Sequence, residues 1–197
     1  LFTAATGVDA LTHAIEAYTA NCAEPISDAV ALYAIELISK YIRRAVEQGE
    51  DLEARAGMLM GSLLAGIAFS HSDVAAVHCI AESLGGLYDA PHGVCNSILL
   101  PYVMAYNMDY AKERYARIAG AMGAQYTTID EGAQLAVAMV KQLTIDVGLP
   151  SFKSLGVKTE DFEKIAEMSA QNISTESNPR PMSKEDYIIV LNSAYNG

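Results

Sequence analysis

Three of the four histidines in this 197-residue chain form a sparse pattern with one aspartate: Asp9-x3-His13, then His78-x13-His92. Asp9 and His13 lie in an amphipathic stretch, residues 6–18, whose apolar spacing predicts a helix. At i,i+4 a carboxylate and an imidazole leave the same helix face one turn apart. Three imidazoles and one carboxylate suit a divalent transition metal, with a coordination position left open for substrate. Taken singly, each residue has a plainer reading. Asp9 and His13 also read as a helix-surface pair, His78 as a satisfied core histidine, and His92 as a helix-start residue bonded to backbone.

The elements that must hold these residues read as helices almost throughout. Ser27 is placed to cap a helix through Ala29, Leu32, Ile35, Ile38 and Ile42, with Arg43 and Arg44 near its C-terminal end. Asp51 opens another, through Leu59, Leu63 and Ile67. A third, roughly residues 74–84, carries His78 and stops at Gly85-Gly86. After a loop containing Asp89, simplest as a turn residue, Pro91-His92-Gly93 begins the next helix, with Pro91 suited to its first turn. Thr128 and Glu131 have capping-box spacing for a helix ending near Gly148-Leu149-Pro150. Thr159 and Ser183 read as further N-caps, and Asn178-Pro179-Arg180-Pro181 as the last loop. Residues 187–191 look strand-like, but the polar run before them favours helix. The expectation is one all-α domain, residues 1–197, of about eight or nine helices.

A hydrophobic share of 51% with 19% charged residues is that of a soluble protein with a substantial core. The net charge of −11 argues against nucleic acid and anionic membrane as partners. Cys22, Cys79 and Cys95 are odd in number and lack CxxC spacing, so free, mostly buried thiols in a cytoplasmic protein are expected. Cys79 directly follows His78 and would point about 100° away from it on a helix, a poor position for the same metal. The longest apolar run, residues 58–69, is too short to span a bilayer and reads as a buried helix. No signal peptide is evident, and the start at Leu1 suggests that something precedes it. There is no βαβ alternation and no Gly-rich turn between strand and helix, so no nucleotide cradle is expected within this segment.

Two long stretches carry a resemblance. Thr3-Ala-Ala-Thr-Gly-Val-Asp-Ala-Leu-Thr-His-Ala-Ile-Glu-Ala-Tyr18 and Leu84-Gly-Gly-Leu-Tyr-Asp-Ala-Pro-His-Gly-Val-Cys-Asn-Ser-Ile-Leu-Leu-Pro101 resemble the signatures of iron-containing (group III) alcohol dehydrogenases. Asn178-Pro-Arg-Pro-Met-Ser-Lys-Glu-Asp186 resembles that family's final loop and helix. The resemblance covers essentially the whole chain as the C-terminal helical domain, of dehydroquinate synthase-like fold. It implies an upstream α/β domain, absent here, that binds NAD or NADP, with the metal in the cleft between the two. It also implies metal ligation by Asp9, His13, His78 and His92, with Fe²⁺ as the metal or Zn²⁺ as in related enzymes, and places Phe69 at the border of the substrate pocket.

Where many members carry a second histidine, four residues beyond the position of His78, this chain has Glu82. Glu82 would lie one turn from His78 on the same face, to orient it or to relay protons, or else be a solvated glutamate without a role. His71 stands where a small polar residue is expected, and reads as a helix-end histidine. Tyr18, Tyr88 and Tyr102 read as packing residues. The implied activity is NAD(P)-linked oxidation of a small alcohol or reduction of an aldehyde, with a site charge near +1 stabilising the developing oxyanion. The domain alone would be inactive, and the full-length protein a homo-oligomer. The alternatives are a zinc polyol dehydrogenase of the glycerol type and a non-catalytic metal-binding helical module.

Overall fold

Apolar spacing becomes helix almost without interruption. The computed structural model describes residues 1–197, and its regular structure is entirely helical. In chain order the helices are α1 (Phe2–Thr19), α2 (Pro25–Glu47), α3 (Leu52–His71), α4 (Ala76–Tyr88), α5 (His92–Asn107), α6 (Lys112–Ala121), α7 (Ile129–Asp146), α8 (Phe162–Ala170) and α9 (Lys184–Asn196), with four short 3-10 turns between them. One contiguous core takes side chains from all nine. α1 is its axis. Ala4, Val8, Leu11, Ala14, Ile15, Ala17 and Tyr18 are sealed from solvent, because α2, α3 and α5 pack around it. A helix apolar on most sides belongs in the interior. The α6–α7 hairpin rests on α5, while α8 and α9 pair beside α4.

The helix ends refine the sequence reading. Asp51 caps α3 as expected, accepting from Ala54 N at 3.0 Å. α2 is capped by Glu24, not Ser27. The Glu24 carboxylate accepts from Ile26 N and Ser27 N, Ser27 Oγ accepts from Glu24 N at 3.0 Å, and Pro25 takes the first helical position. α4 does not stop at Gly85-Gly86 but runs on to Tyr88 and ends at Asp89, which adopts a left-handed conformation with φ 49°. Aspartate tolerates that conformation, and packing of α4 on α5 and α8 outweighs the weak helix preference of the two glycines. Pro91 sits at the N-cap of α5, just ahead of its first turn. Thr128 caps α7, but the Glu131 carboxylate turns to Thr127 N and Oγ1, leaving the box half-formed. Ser183 and Asp186 do complete one at α9. Thr159 caps nothing. It lies in a 3-10 turn, Thr159–Asp161, that precedes α8.

α3 departs most from expectation. It is not a buried helix: Leu59 is 73% exposed and Leu63 58%. Its buried stripe is Ala54, Gly61, Ala65 and Ala68, a face of small residues that lets α3 lie close along α2. A Cβ on Gly57 would fall 2.2 Å from Tyr41 Cδ2, and one on Gly61 would fall 2.6 Å from Ile38 Cγ1. The large apolar side chains therefore point outward. By length and hydropathy alone α3 would suit a bilayer span, but here its small-residue face is taken by α1 and α2.

This packing gives a signed expectation for Gly57→Ala. Alanine favours a helix interior over glycine by about 0.8–1 kcal/mol, yet the new methyl meets three atoms of the Tyr41 ring, and overpacking costs about 1–3 kcal/mol. The clash wins, so denaturant unfolding should show a loss of about 1 kcal/mol. Equal or greater stability would contradict the close α2–α3 contact.

Candidate metal centre

α1 carries Asp9, His13 and Glu16 at i, i+4 and i+7, successive turns of one face. α4 brings His78 in its first turn, and α5 brings His92 as its first residue and Asn96 one turn later. Gly93 lets these helices meet. A Cβ there would lie 3.1 Å from Ala5 O, so the first turn of α5 presses directly on the α1 backbone beside Asp9. Chain segments separated by more than sixty residues thus converge on one point.

The potential ligand atoms of Asp9, His78 and His92 all lie within 4.8 Å of one another. Asp9 Oδ1 is 4.0 Å from both His78 Nε2 and His92 Nε2. His13 joins them through its Nε2, 3.1 Å from His78 Nε2. The structure therefore gathers all four residues singled out in the sequence.

The other nitrogen of each ring shows how the cluster is poised. His13 Nδ1 lies 2.9 Å from Asp9 O, a carbonyl that only accepts, so the Nδ1 proton is committed there and Nε2 is left with its lone pair. His78 Nδ1 lies 2.6 Å from the Glu16 carboxylate, with the same consequence. Two imidazole lone pairs facing each other at 3.1 Å require a cation between them, a proton or a metal ion. Burial and the neighbouring His78 hold His13 below the usual histidine range. Burial also opposes charge on His78, but the hydrogen bond and charge of Glu16, aided by Asp9, outweigh it and leave His78 raised. The donor set fits a divalent metal. His92 Nε2 takes a hydrogen bond from Asn96 Nδ2 at 2.9 Å, which a metal would have to displace, while Asn96 Nδ2 also holds Asp9 Oδ1 at 2.7 Å.

On its open side the cluster meets a cavity of about 290 Å³ bordered by Thr6, Asp9, His13, Ser62 and Phe69. The Phe69 ring lies 4.7 Å from that of His13, so Phe69 does border the space beside the cluster. His71 is an exposed helix-end residue bonded to Ile67 O. Glu82 does not orient His78. Its carboxylate accepts from Asn172 Nδ2 at 2.6 Å, and the contact expected of it belongs to Glu16. Glu16 and Asn96 are the site residues missed in the sequence, although Glu16 stands three residues after His13 and Asn96 four after His92, spacings that mark same-face neighbours. Cys79 stands behind His78, with Thr175 Oγ1 3.5 Å from its sulfur. Burial pushes its thiol up to about 12 and that of Cys95 up to about 11. Cys22 is exposed.

Comparison with known proteins agrees with this architecture. Residues 3–195 match the model of the Fe-containing alcohol dehydrogenase family, C-terminal. The chain belongs to the iron-containing alcohol dehydrogenase family, as its C-terminal domain. Among curated members it is 44% identical over 196 residues to a 1,3-propanediol dehydrogenase of Klebsiella pneumoniae, covering 98% of this chain and 51% of the relative. It is 39% identical over 195 residues to an NAD-dependent methanol dehydrogenase of Bacillus methanolicus, covering 98% and 51%. The crystal structure of a 1,3-propanediol oxidoreductase superposes with a TM-score of 0.95 at 44% identity, over 97% of this chain and 51% of that one. The chain spans about half the length of these family members.

If burial keeps Cys79 and Cys95 protonated, folded protein treated with iodoacetamide at pH 8 should be alkylated at Cys22 alone, with all three thiols reacting after denaturation. Rapid labelling of Cys79 in the folded chain would show that the core around Cys79 opens readily.

Proposed function

We propose that this chain is the metal-binding half of an NAD(P)-dependent alcohol dehydrogenase, with Asp9, His13, His78 and His92 holding one divalent metal, Fe²⁺ or Zn²⁺. The observation that carries the reading is the convergence of one carboxylate and three imidazoles from three helices, two of them with Nδ1 protons committed elsewhere. When bound, such a metal supplies a Lewis acid that polarises the oxygen of an alcohol or aldehyde while hydride passes to or from nicotinamide.

The chain's own residues have definable tasks. Asn96 steadies Asp9 from its amide nitrogen, and its bond to His92 Nε2 would give way to the metal. Phe69 walls the cavity beside His13 and would exclude water from the reacting carbon. Glu82, exposed one turn on from His78, is the candidate for passing protons to solvent. The nicotinamide would be held by an upstream α/β domain facing this cavity, so the choice of alcohol and of NAD or NADP would lie partly there. The names of the propanediol and methanol dehydrogenase relatives support a small alcohol as substrate. The exposed apolar side chains of α3 and those of Leu1 and Phe2 at the start of α1 suit burial against further protein, either that domain or a second subunit.

Protein purified without oxygen should contain about one metal ion per chain by elemental analysis. His92→Ala should lose it, and Asp9→Asn, which removes the only anionic ligand, should retain it weakly. Full retention in both variants, with helix content unchanged, would overturn the ligand assignment. Joined to the nucleotide-binding half of a relative, the loaded chain should oxidise alcohols with reduction of NAD⁺ or NADP⁺, and His92→Ala should not.

A further inference from the structure

Glu16 is a carboxylate sealed in the core, 3% exposed, and the partners of its two oxygens all lie at the start of α4. Oε2 accepts from Ala75 N at 2.9 Å and faces His78 Nδ1 at 2.6 Å, while Oε1 accepts from Val77 N at 2.7 Å. α4 opens on Ala75, which has no side chain with which to cap it. The acceptor a helix start requires thus arrives from another helix, about sixty residues earlier in the chain.

We propose that Glu16 is the positioning residue of this centre: it caps α4 from across the fold and, by accepting the Nδ1 proton of His78, fixes the tautomer that turns the His78 Nε2 lone pair toward Asp9, His13 and His92. The inference rests on the metal-centre reading above and adds to it what makes His78 a ligand. A carboxylate offers acceptors only, so a neutral His78 beside it must carry its proton on Nδ1. The two backbone bonds fix the carboxylate relative to the very turn that bears His78, so ring and helix start are set by one group. Partners of this kind raise ligand basicity and hold ring orientation. Glu16 also places a second negative charge beside the cluster, so with Asp9 and a divalent ion the local charge is near zero and not the +1 implied by the ligands alone.

Glutamine at this position keeps the size and breaks the logic. Its amide nitrogen must face either Val77 N–H, donor against donor, or Ala75 N–H and His78 Nδ1. In the second arrangement His78 Nδ1 becomes the acceptor and the proton moves to Nε2, where it blocks ligation.

The test is nitrogen-15 NMR of histidine-labelled, metal-free protein at alkaline pH, with zinc titration by calorimetry. Wild type should carry the His78 proton on Nδ1. Glu16→Gln should shift it toward Nε2 and weaken zinc binding about 10–100-fold with helix content retained. Wild-type tautomer and wild-type affinity in that variant would overturn the proposal. Should Glu16→Gln fail to fold, the wild-type spectrum still decides, because a neutral His78 ring whose single proton sits on Nε2 excludes the role. Absence of zinc binding by wild type would instead sink the metal-centre reading and the positioning role with it. The two failures separate, because the tautomer is read without metal.

Discussion

His13 Nε2 and His78 Nε2 face each other at 3.1 Å, and each ring has its other nitrogen committed to an acceptor, the Asp9 carbonyl in one case and the Glu16 carboxylate in the other. Two lone pairs at that separation repel unless positive charge lies between them. A proton meets this constraint on His78 rather than on His13, because the Glu16 carboxylate raises His78 while burial and the charge of His78 lower His13. A divalent ion meets it better, because it can draw on Asp9 and His92 as well. The surrounding structure keeps this arrangement from relaxing, with α1 in the core, α4 capped by an α1 side chain, and α5 pressed on α1 through Gly93.

That arrangement ties the centre to the fold. Asp9, His13 and Glu16 belong to the axial helix, whereas His78 and His92 stand at the starts of two others. A metal that binds them in the folded chain and not in the unfolded one stabilises the whole domain. α3 is organised differently. Its contacts are made by glycines and alanines, and its leucines face away from the core, leaving an exposed apolar face. This suits a cleft completed by another body of protein.

Sequence patterns of different kinds account for what was legible. Asp9 and His13 were visible by helical spacing, whereas His78 and His92 could be joined to them only through the long signature stretches, because nothing local links residues so far apart. The all-helical class followed from apolar periodicity, and Asp51 and Ser183 from cap chemistry. Glu16 was hidden because its partners lie 59 to 62 residues away, and a glutamate one turn beyond His78, Glu82, offered a nearer candidate. The burial of α3 was misread because both its faces are apolar, and only packing reveals that the small residues face inward. Glu24 and Ser27 form a reciprocal pair, so spacing alone did not show which was the cap. Gly85-Gly86 looked like a stop because glycine is a poor helix former, a preference that tertiary contacts overrode.

The central claim is that three imidazoles and one carboxylate of this chain bind a single divalent ion. X-ray absorption at the metal edge, on protein loaded with Fe²⁺ or Zn²⁺ without oxygen, addresses it most directly. The account predicts nitrogen and oxygen neighbours at about 2.0–2.2 Å, with the outer-shell scattering of about three imidazole rings, and loss of part of that scattering in His92→Ala. Sulfur at about 2.3 Å, or a shell without imidazole, would contradict it.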